Sequence, residues 1–326
     1  MKRIARLLFL LVIAATAAVG GVFYWGYLSF VSSGPSVEAK TFVVPKGAGL
    51  NQIALLLWNA GLIEEPDVFI WGARLSGDAR IIKAGEYAFE ATVSPRRILG
   101  DFTAGKTVLR RVTVPEGLSS VEVAMLLNAT DALEGTVSAP AEGSVLPETY
   151  SYQYGESRAD VLARMKRSMR ETVVELWATR AGDLPLARPE DAVVLASIVE
   201  KETAVAAERP RVAAVFINRL RRGMRLQSDP TVVYGLTQGN GPLGRRLTRE
   251  DLEMNHPFNT YRIAGLPPTP IANPGREALA AVMNPVTTAE LYFVADGTGG
   301  HVFAKTLAEH NRNVAKWRKL QRESKP

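Results

Sequence analysis

From Leu7 to Val31 the chain carries no charged side chain and is built mostly of Leu, Val, Ala, Phe and Ile. About 20 such residues in a helix cross the hydrocarbon core of a bilayer, so this run spans it with some tilt. Lys2, Arg3 and Arg6 precede the run, and the next charge is Glu38. Basic residues ahead of an apolar span predict a cytoplasmic N-terminus. Everything after residue 35 is then expected outside the cytoplasm. Tyr24, Trp25 and Tyr27 fit an aromatic belt at the far interface. A cleaved signal peptide is the rival reading, with Ala15-Thr16-Ala17 as its small-residue site. The apolar run continues well past that site, which favours an uncleaved anchor. The expectation is a cytoplasmic tail (1–6) and a single-pass transmembrane anchor (7–31) in the inner (plasma) membrane.

The remaining chain has ordinary globular composition, and 326 residues allow about two folded domains. Three of the six net positive charges sit ahead of the anchor, so the basic balance is partly a topology signal. No concentrated basic face or nucleic-acid motif is present, and no nucleic-acid partner is expected. The absence of cysteine excludes disulfides, thiolate metal sites and cysteine nucleophiles. His256, His301 and His310 lack the spacing of a helical zinc pair, and no dinucleotide or phosphate-loop motif appears. Neither a cofactor nor a metal is expected.

Ser32-Ser33-Gly34-Pro35-Ser36 reads as a linker. Thr41-Phe42-Val43-Val44 reads as a strand, followed by a turn at Pro45 and Gly47 and an amphipathic helix from Leu50. The phrase returns seventy residues on. Val44-Pro45-Lys46-Gly47 matches Val114-Pro115-Glu116-Gly117, and Ala54, Leu56 and Leu57 match Ala124, Leu126 and Leu127. This is an internal duplication of a strand–turn–helix unit, the second copy covering 112–127. With a return segment at Gly85-Glu86-Tyr87-Ala88-Phe89, the first copy resembles a LysM-type module, assigned to 41–106. The resemblance implies glycan binding, and a spacer of the same shape is the alternative. Residues 107–326 are assigned to a larger mixed α+β domain, giving an α+β fold class.

Arg188-Pro189-Glu190-Asp191 is a helix start, with Pro suited to the first turn and acids to the positive dipole end. Ala192 through Val199 is apolar around nearly the whole circumference, which places the helix in an interior. Glu200 follows. A desolvated carboxyl there has a raised pKa, as a general acid acting on a glycosidic oxygen needs. Alternatively, Glu200 ends the helix and pairs with Lys201 or an arginine. Glu202 lies roughly 200° further round, so the two carboxyls do not share a face.

Ala196-Ser197-Ile198-Val199-Glu200-Lys201-Glu202-Thr203, Val215-Phe216-Ile217-Asn218-Arg219-Leu220 and the run Met224 to Gly235 resemble the YceG-like endolytic murein transglycosylase family. Asn259-Thr260-Tyr261 and Gly265 to Gly275 continue the match. Pro147-Glu148-Thr149-Tyr150 departs slightly from the family's Pro-Asp-Thr-Tyr phrase, and the segment from Asp131 to Pro140 is short. The resemblance implies a lyase that cleaves the β-1,4 bond between N-acetylmuramic acid and N-acetylglucosamine within peptidoglycan strands. The product is a 1,6-anhydro end, formed with one catalytic carboxyl, which the resemblance puts at Glu200. It also implies termination of nascent strands near peptidoglycan synthases.

Gln227 and Asp229 flank a turn at Pro230 and suit sugar hydroxyls and acetamido groups. Asn218, Asn259, Tyr261 and Glu148 complete the expected substrate-binding set. Asn259 and Asp229 have an alternative reading as turn caps. Two other functions stay open. Asp229 facing Glu200 at about 5–9 Å would make a two-carboxylate muramidase-type hydrolase. A non-catalytic wall-binding scaffold would need neither residue.

Overall fold

The structure is a computed structural model that describes residues 2–323. Its helices and short strand pairs fall into two compact units divided at Arg110, with Tyr152–Gly155 returning to the first.

In the first unit, α1 (Lys2–Val31) is the one described helix long and apolar enough to cross a membrane. Beyond it lie β1 (Lys40–Val44), α2 (Leu50–Asn59), α3 (Pro66–Leu75), β2 (Gly85–Phe89) and α4 (Pro95–Ala104). β1 and β2 pair antiparallel, Lys40 opposite Phe89 and Val44 opposite Gly85. Alternate residues of a strand point to one face, so Phe42, Val44, Tyr87 and Phe89 meet Ile53 and Leu57 of α2 and Phe102 of α4. The Tyr87 and Phe102 rings lie edge to face, 4.7 Å between centroids. The end of α1 belongs to this unit: Phe30 packs on its core and sits so close to α3 that a Cβ on Gly72 would fall 2.4 Å from the ring.

The second unit holds β3 (Arg110–Thr113), α5 (Ser120–Ala129), β4 (Leu133–Glu134), β5 (Thr149–Tyr152), β6 (Glu156–Ser157) and α6 (Arg158–Ala178). After these come α7 (Pro189–Glu202), α8 (Arg209–Arg221), α9 (Asp229–Thr237), α10 (Arg249–Glu253), α11 (Arg276–Met283), β7 (Tyr292–Ala295), β8 (His301–Ala304) and α12 (Leu307–Glu323). β3 pairs with β5, β4 runs parallel to β6, and β7 and β8 form an antiparallel hairpin. The helix expected from the Arg188-Pro189 start is α7. The Asp191 carboxylate accepts the Arg188 N–H at 3.0 Å, satisfying an amide the helix itself cannot. Every residue from Ala192 to Val199 is buried. Packed between α6, α8 and α11, α7 forms the centre of this core.

Candidate active site

The last turn of α7 carries two carboxyls, and the fold gives them opposite surroundings. The Glu200 side chain is 5% exposed and tied on both oxygens. Arg209, from the first turn of α8, donates to one at 3.2 Å. The Gly275 N–H donates to the other at 3.0 Å. Arg209 also holds Glu116 at 2.9 Å, so Glu200 and Glu116 share one guanidinium. Burial raises the Glu200 pKa, while the Gly275 amide and Arg209 act against that rise. Arg209 is thus the arginine anticipated in the pairing alternative.

Glu202 is partly buried as a residue, like Glu200, but its carboxyl is the more deeply desolvated of the two, and among the described residues no cation is bonded to it. Its hydrogen-bond partner is Ser228, whose hydroxyl donates to the carboxyl from the residue before α9. Burial pushes its pKa up to about 7; the Asp229 charge adds to the rise, and Ser228, His301 and Arg219 oppose it. A carboxyl of that kind keeps its proton up to about neutrality, as a proton donor requires.

Ser228 is held by its own network. It is completely buried, and the Thr260 hydroxyl accepts its backbone N–H at 2.9 Å. Its neighbours Gln227 and Asp229 are exposed. Gln227 adopts φ +57°, a region costly for a residue with a Cβ, and its side chain accepts from Arg219 at 3.2 Å. The Tyr261 hydroxyl donates to Asp229 at 2.6 Å, and burial followed by that carboxylate keeps the phenol well above its ordinary pKa. Asp229 and Lys201 both line a cleft of about 990 Å³, walled by Pro230, Val233 and Tyr234 and rimmed by Arg245 and Arg246.

Gln227, Asp229 and Tyr261 therefore gather beside Glu202. The three other expected residues have different surroundings. Asn218 donates to the Thr288 and Glu290 carbonyls, pinning the segment before β7 onto α8. Asn259 is completely buried and donates to the Leu252 and Met254 carbonyls, the turn role foreseen for it. Glu148 is exposed before β5, its backbone carbonyl accepting from Val114. Asp229 stands next to Glu202 electrostatically, whereas the causes acting on Glu200 do not include it.

Sequence reasoning passed over Ser228 and Arg209. Ser228 lies inside the matched run and directly precedes a helix, a position where serine usually caps; here its hydroxyl turns to Glu202 instead. Arg209 had no local signal, because its partners lie 9 and 93 residues away in sequence. Of the histidines, His301 holds Glu208 at 2.8 Å, His310 stacks on Tyr292, and His256 accepts the Phe258 N–H.

The YceG-like family model matches residues 42–316. The endolytic murein transglycosylase of Bacillus subtilis is 27% identical over 92% of this chain and 91% of its own length. That of Streptococcus pneumoniae is also 27% identical, over 94% of this chain and 64% of its own, longer sequence. A crystal structure of a YceG-like protein from Listeria monocytogenes superposes with a TM-score of 0.52 at 27% identity, covering 84% of this chain and 98% of that one. With the model spanning both units and the end of α7, the chain belongs to the YceG-like family.

Proposed function

We propose that this chain is a membrane-anchored endolytic transglycosylase of peptidoglycan, and that Glu202, rather than Glu200, is its acid–base residue. The observation that carries the assignment is the contrast on α7. Glu200 is occupied on both oxygens by Arg209 and Gly275, whereas Glu202 is bonded to one hydroxyl and raised to about 7. Glu202 gives its proton to the glycosidic oxygen as the bond to the muramyl C1 breaks. The carboxylate then accepts the proton of the muramyl C6 hydroxyl as O6 bonds to C1. No water is consumed, and the carboxyl ends as it began. Ser228 holds the carboxyl in place, and Asp229, Tyr261 and Gln227 meet the sugar. The relatives' names support the substrate class.

We place α1 across the membrane with its N-terminus in the cytoplasm, on the strength of its length and the basic residues ahead of it. Residues 41–106 of the first unit then form a LysM-like glycan-binding module outside the cytoplasm.

Asp229 beside Glu202 supports a second reading, a hydrolase in which Asp229 directs water. Digestion of purified glycan strands followed by mass spectrometry separates the two. The lyase gives anhydro ends one water lighter than the reducing ends of hydrolysis. Reducing ends would overturn the first reading, and undigested strands would favour a scaffold.

A further inference from the structure

The mechanism makes no use of an apolar trough in the first unit. Val22, Phe23, Tyr27 and Phe30 of α1 form one wall, and Trp71 and Leu75 of α3 form the other. It encloses about 860 Å³. Trp71 is 50% exposed and Leu75 79%, although both belong to a folded helix whose opposite face, at Phe69 and Ala73, is buried. The lining is predominantly hydrocarbon and aromatic. At its edge stand two cations, Arg74 and Arg96. Among the described residues neither guanidinium is paired with a carboxylate. By contrast, Arg97, next to Arg96, is bound to Asp101 at 3.1 Å.

The depth of the trough follows from the length of α1. Thirty residues extend about 45 Å at 1.5 Å each. A hydrocarbon core takes about 30 Å of that, leaving roughly ten residues for the two interfaces. With Lys2, Arg3 and Arg6 in one headgroup layer, Tyr27 to Val31 reach the other. Trp71 and Leu75 flank this end of α1. An exposed Trp and Leu suit the boundary between acyl chains and headgroups, and arginines beside them suit anionic phosphates.

We propose that this trough holds a phospholipid of the membrane that α1 crosses. The upper acyl chain lies between α1 and α3, and an anionic headgroup is held by Arg74 and Arg96. Helix α3 is thereby part of the membrane anchor, and the module it belongs to stays at the lipid surface. The proposal rests on α1 being a membrane span.

The test reconstitutes the full chain in phosphatidylglycerol vesicles doped with phosphatidylcholine brominated near the carbonyl end of its acyl chains. Bromine quenches tryptophan on contact, and Trp25 on α1 reports insertion independently of Trp71. Comparing the wild type with Trp71→Phe and Trp25→Phe assigns the quenched emission to each ring. The expected result is quenching of both, with the Trp71 share lost when bromine is moved to the chain end. Replacing phosphatidylglycerol by phosphatidylcholine, or introducing Arg74→Glu with Arg96→Glu, lowers the Trp71 share at least twofold and leaves Trp25 unchanged. The thermal unfolding midpoint of the double variant stays at the wild-type value, so the lost quenching is not a folding defect. Quenching of Trp25 without Trp71 overturns the lipid site and leaves the anchor standing. Absence of Trp25 quenching removes the anchor, and the lipid site with it.

Discussion

The two sides of the last turn of α7 differ more than two residues of sequence would suggest. On one side, Glu200 is locked among Arg209, Glu116 and the Gly275 amide, a network of fixed charges. On the other, Glu202 faces Ser228, with Asp229 lining a cleft and accepting from the Tyr261 hydroxyl. Burial raises both pKa values, so burial alone does not distinguish an acid from a strut. The partner does. The Gly275 amide and Arg209 oppose the rise at Glu200, whereas at Glu202 burial prevails over the single Ser228 hydroxyl and carries the pKa to about 7.

The largest effect that tests this contrast is expected at Glu202. Glu202→Gln lowers the cleavage rate by about 10²–10⁴-fold, the usual worth of a general acid–base group. It does so without loss of stability. With a folded pKa of about 7 against an ordinary 4.5, Glu202 keeps its proton longer in the native state than in the unfolded one. Its contribution is therefore full below 4.5 and is lost as pH climbs to 7. Thermal unfolding at pH 8 should show Glu202→Gln to be at least as stable as the wild type. The same titration sets the activity profile: kcat/KM falls above about pH 7, where the donor has lost its proton.

Glu200→Gln should do the reverse. It keeps an acceptor for Gly275 and leaves Arg209 with Glu116, so it costs about 1–3 kcal/mol in denaturant unfolding. Its rate should fall by less than about tenfold, or ~1.4 kcal/mol of barrier. A smaller and more pointed effect is expected at Ser228. Its hydroxyl favours the ionised form of Glu202, so Ser228→Ala should move the alkaline limb to higher pH. A limb that stays in place would detach Ser228 from the proton. The smallest effect is expected at Glu116, which is 39% exposed. Glu116→Gln should change stability by about 0–1 kcal/mol and leave the pH profile unmoved.

The sequence made the large elements legible where local pattern decides. The apolar run became α1, the Arg188-Pro189 start became α7, and both copies of the duplicated phrase fold as strand, turn and helix. The copies also show where legibility stopped. Gly47 and Gly117 both take positive φ, +79° and +77°, at the same place in the repeat. Gly47 has open space around it, whereas Gly117 lies against the Glu200 side chain and its carbonyl accepts from Lys201 at 3.1 Å. Repetition revealed the shared turn, yet nothing local said that one copy would be built into the wall of the site. Choosing between Glu200 and Glu202 met the same difficulty. Their decisive partners, Gly275 and Ser228, lie 75 and 26 residues away. Asn218 and Asn259 suit sugar hydroxyls on chemistry alone, and the backbone carbonyls that their amides meet come from other segments that local pattern does not name.

The most direct test of the assignment runs Glu202→Gln and Glu200→Gln side by side on one glycan preparation at pH 6 and weighs the products. The account predicts anhydro-ended fragments from Glu200→Gln and intact strands from Glu202→Gln, with both variants folded. Intact strands from Glu200→Gln and anhydro ends from Glu202→Gln would contradict it.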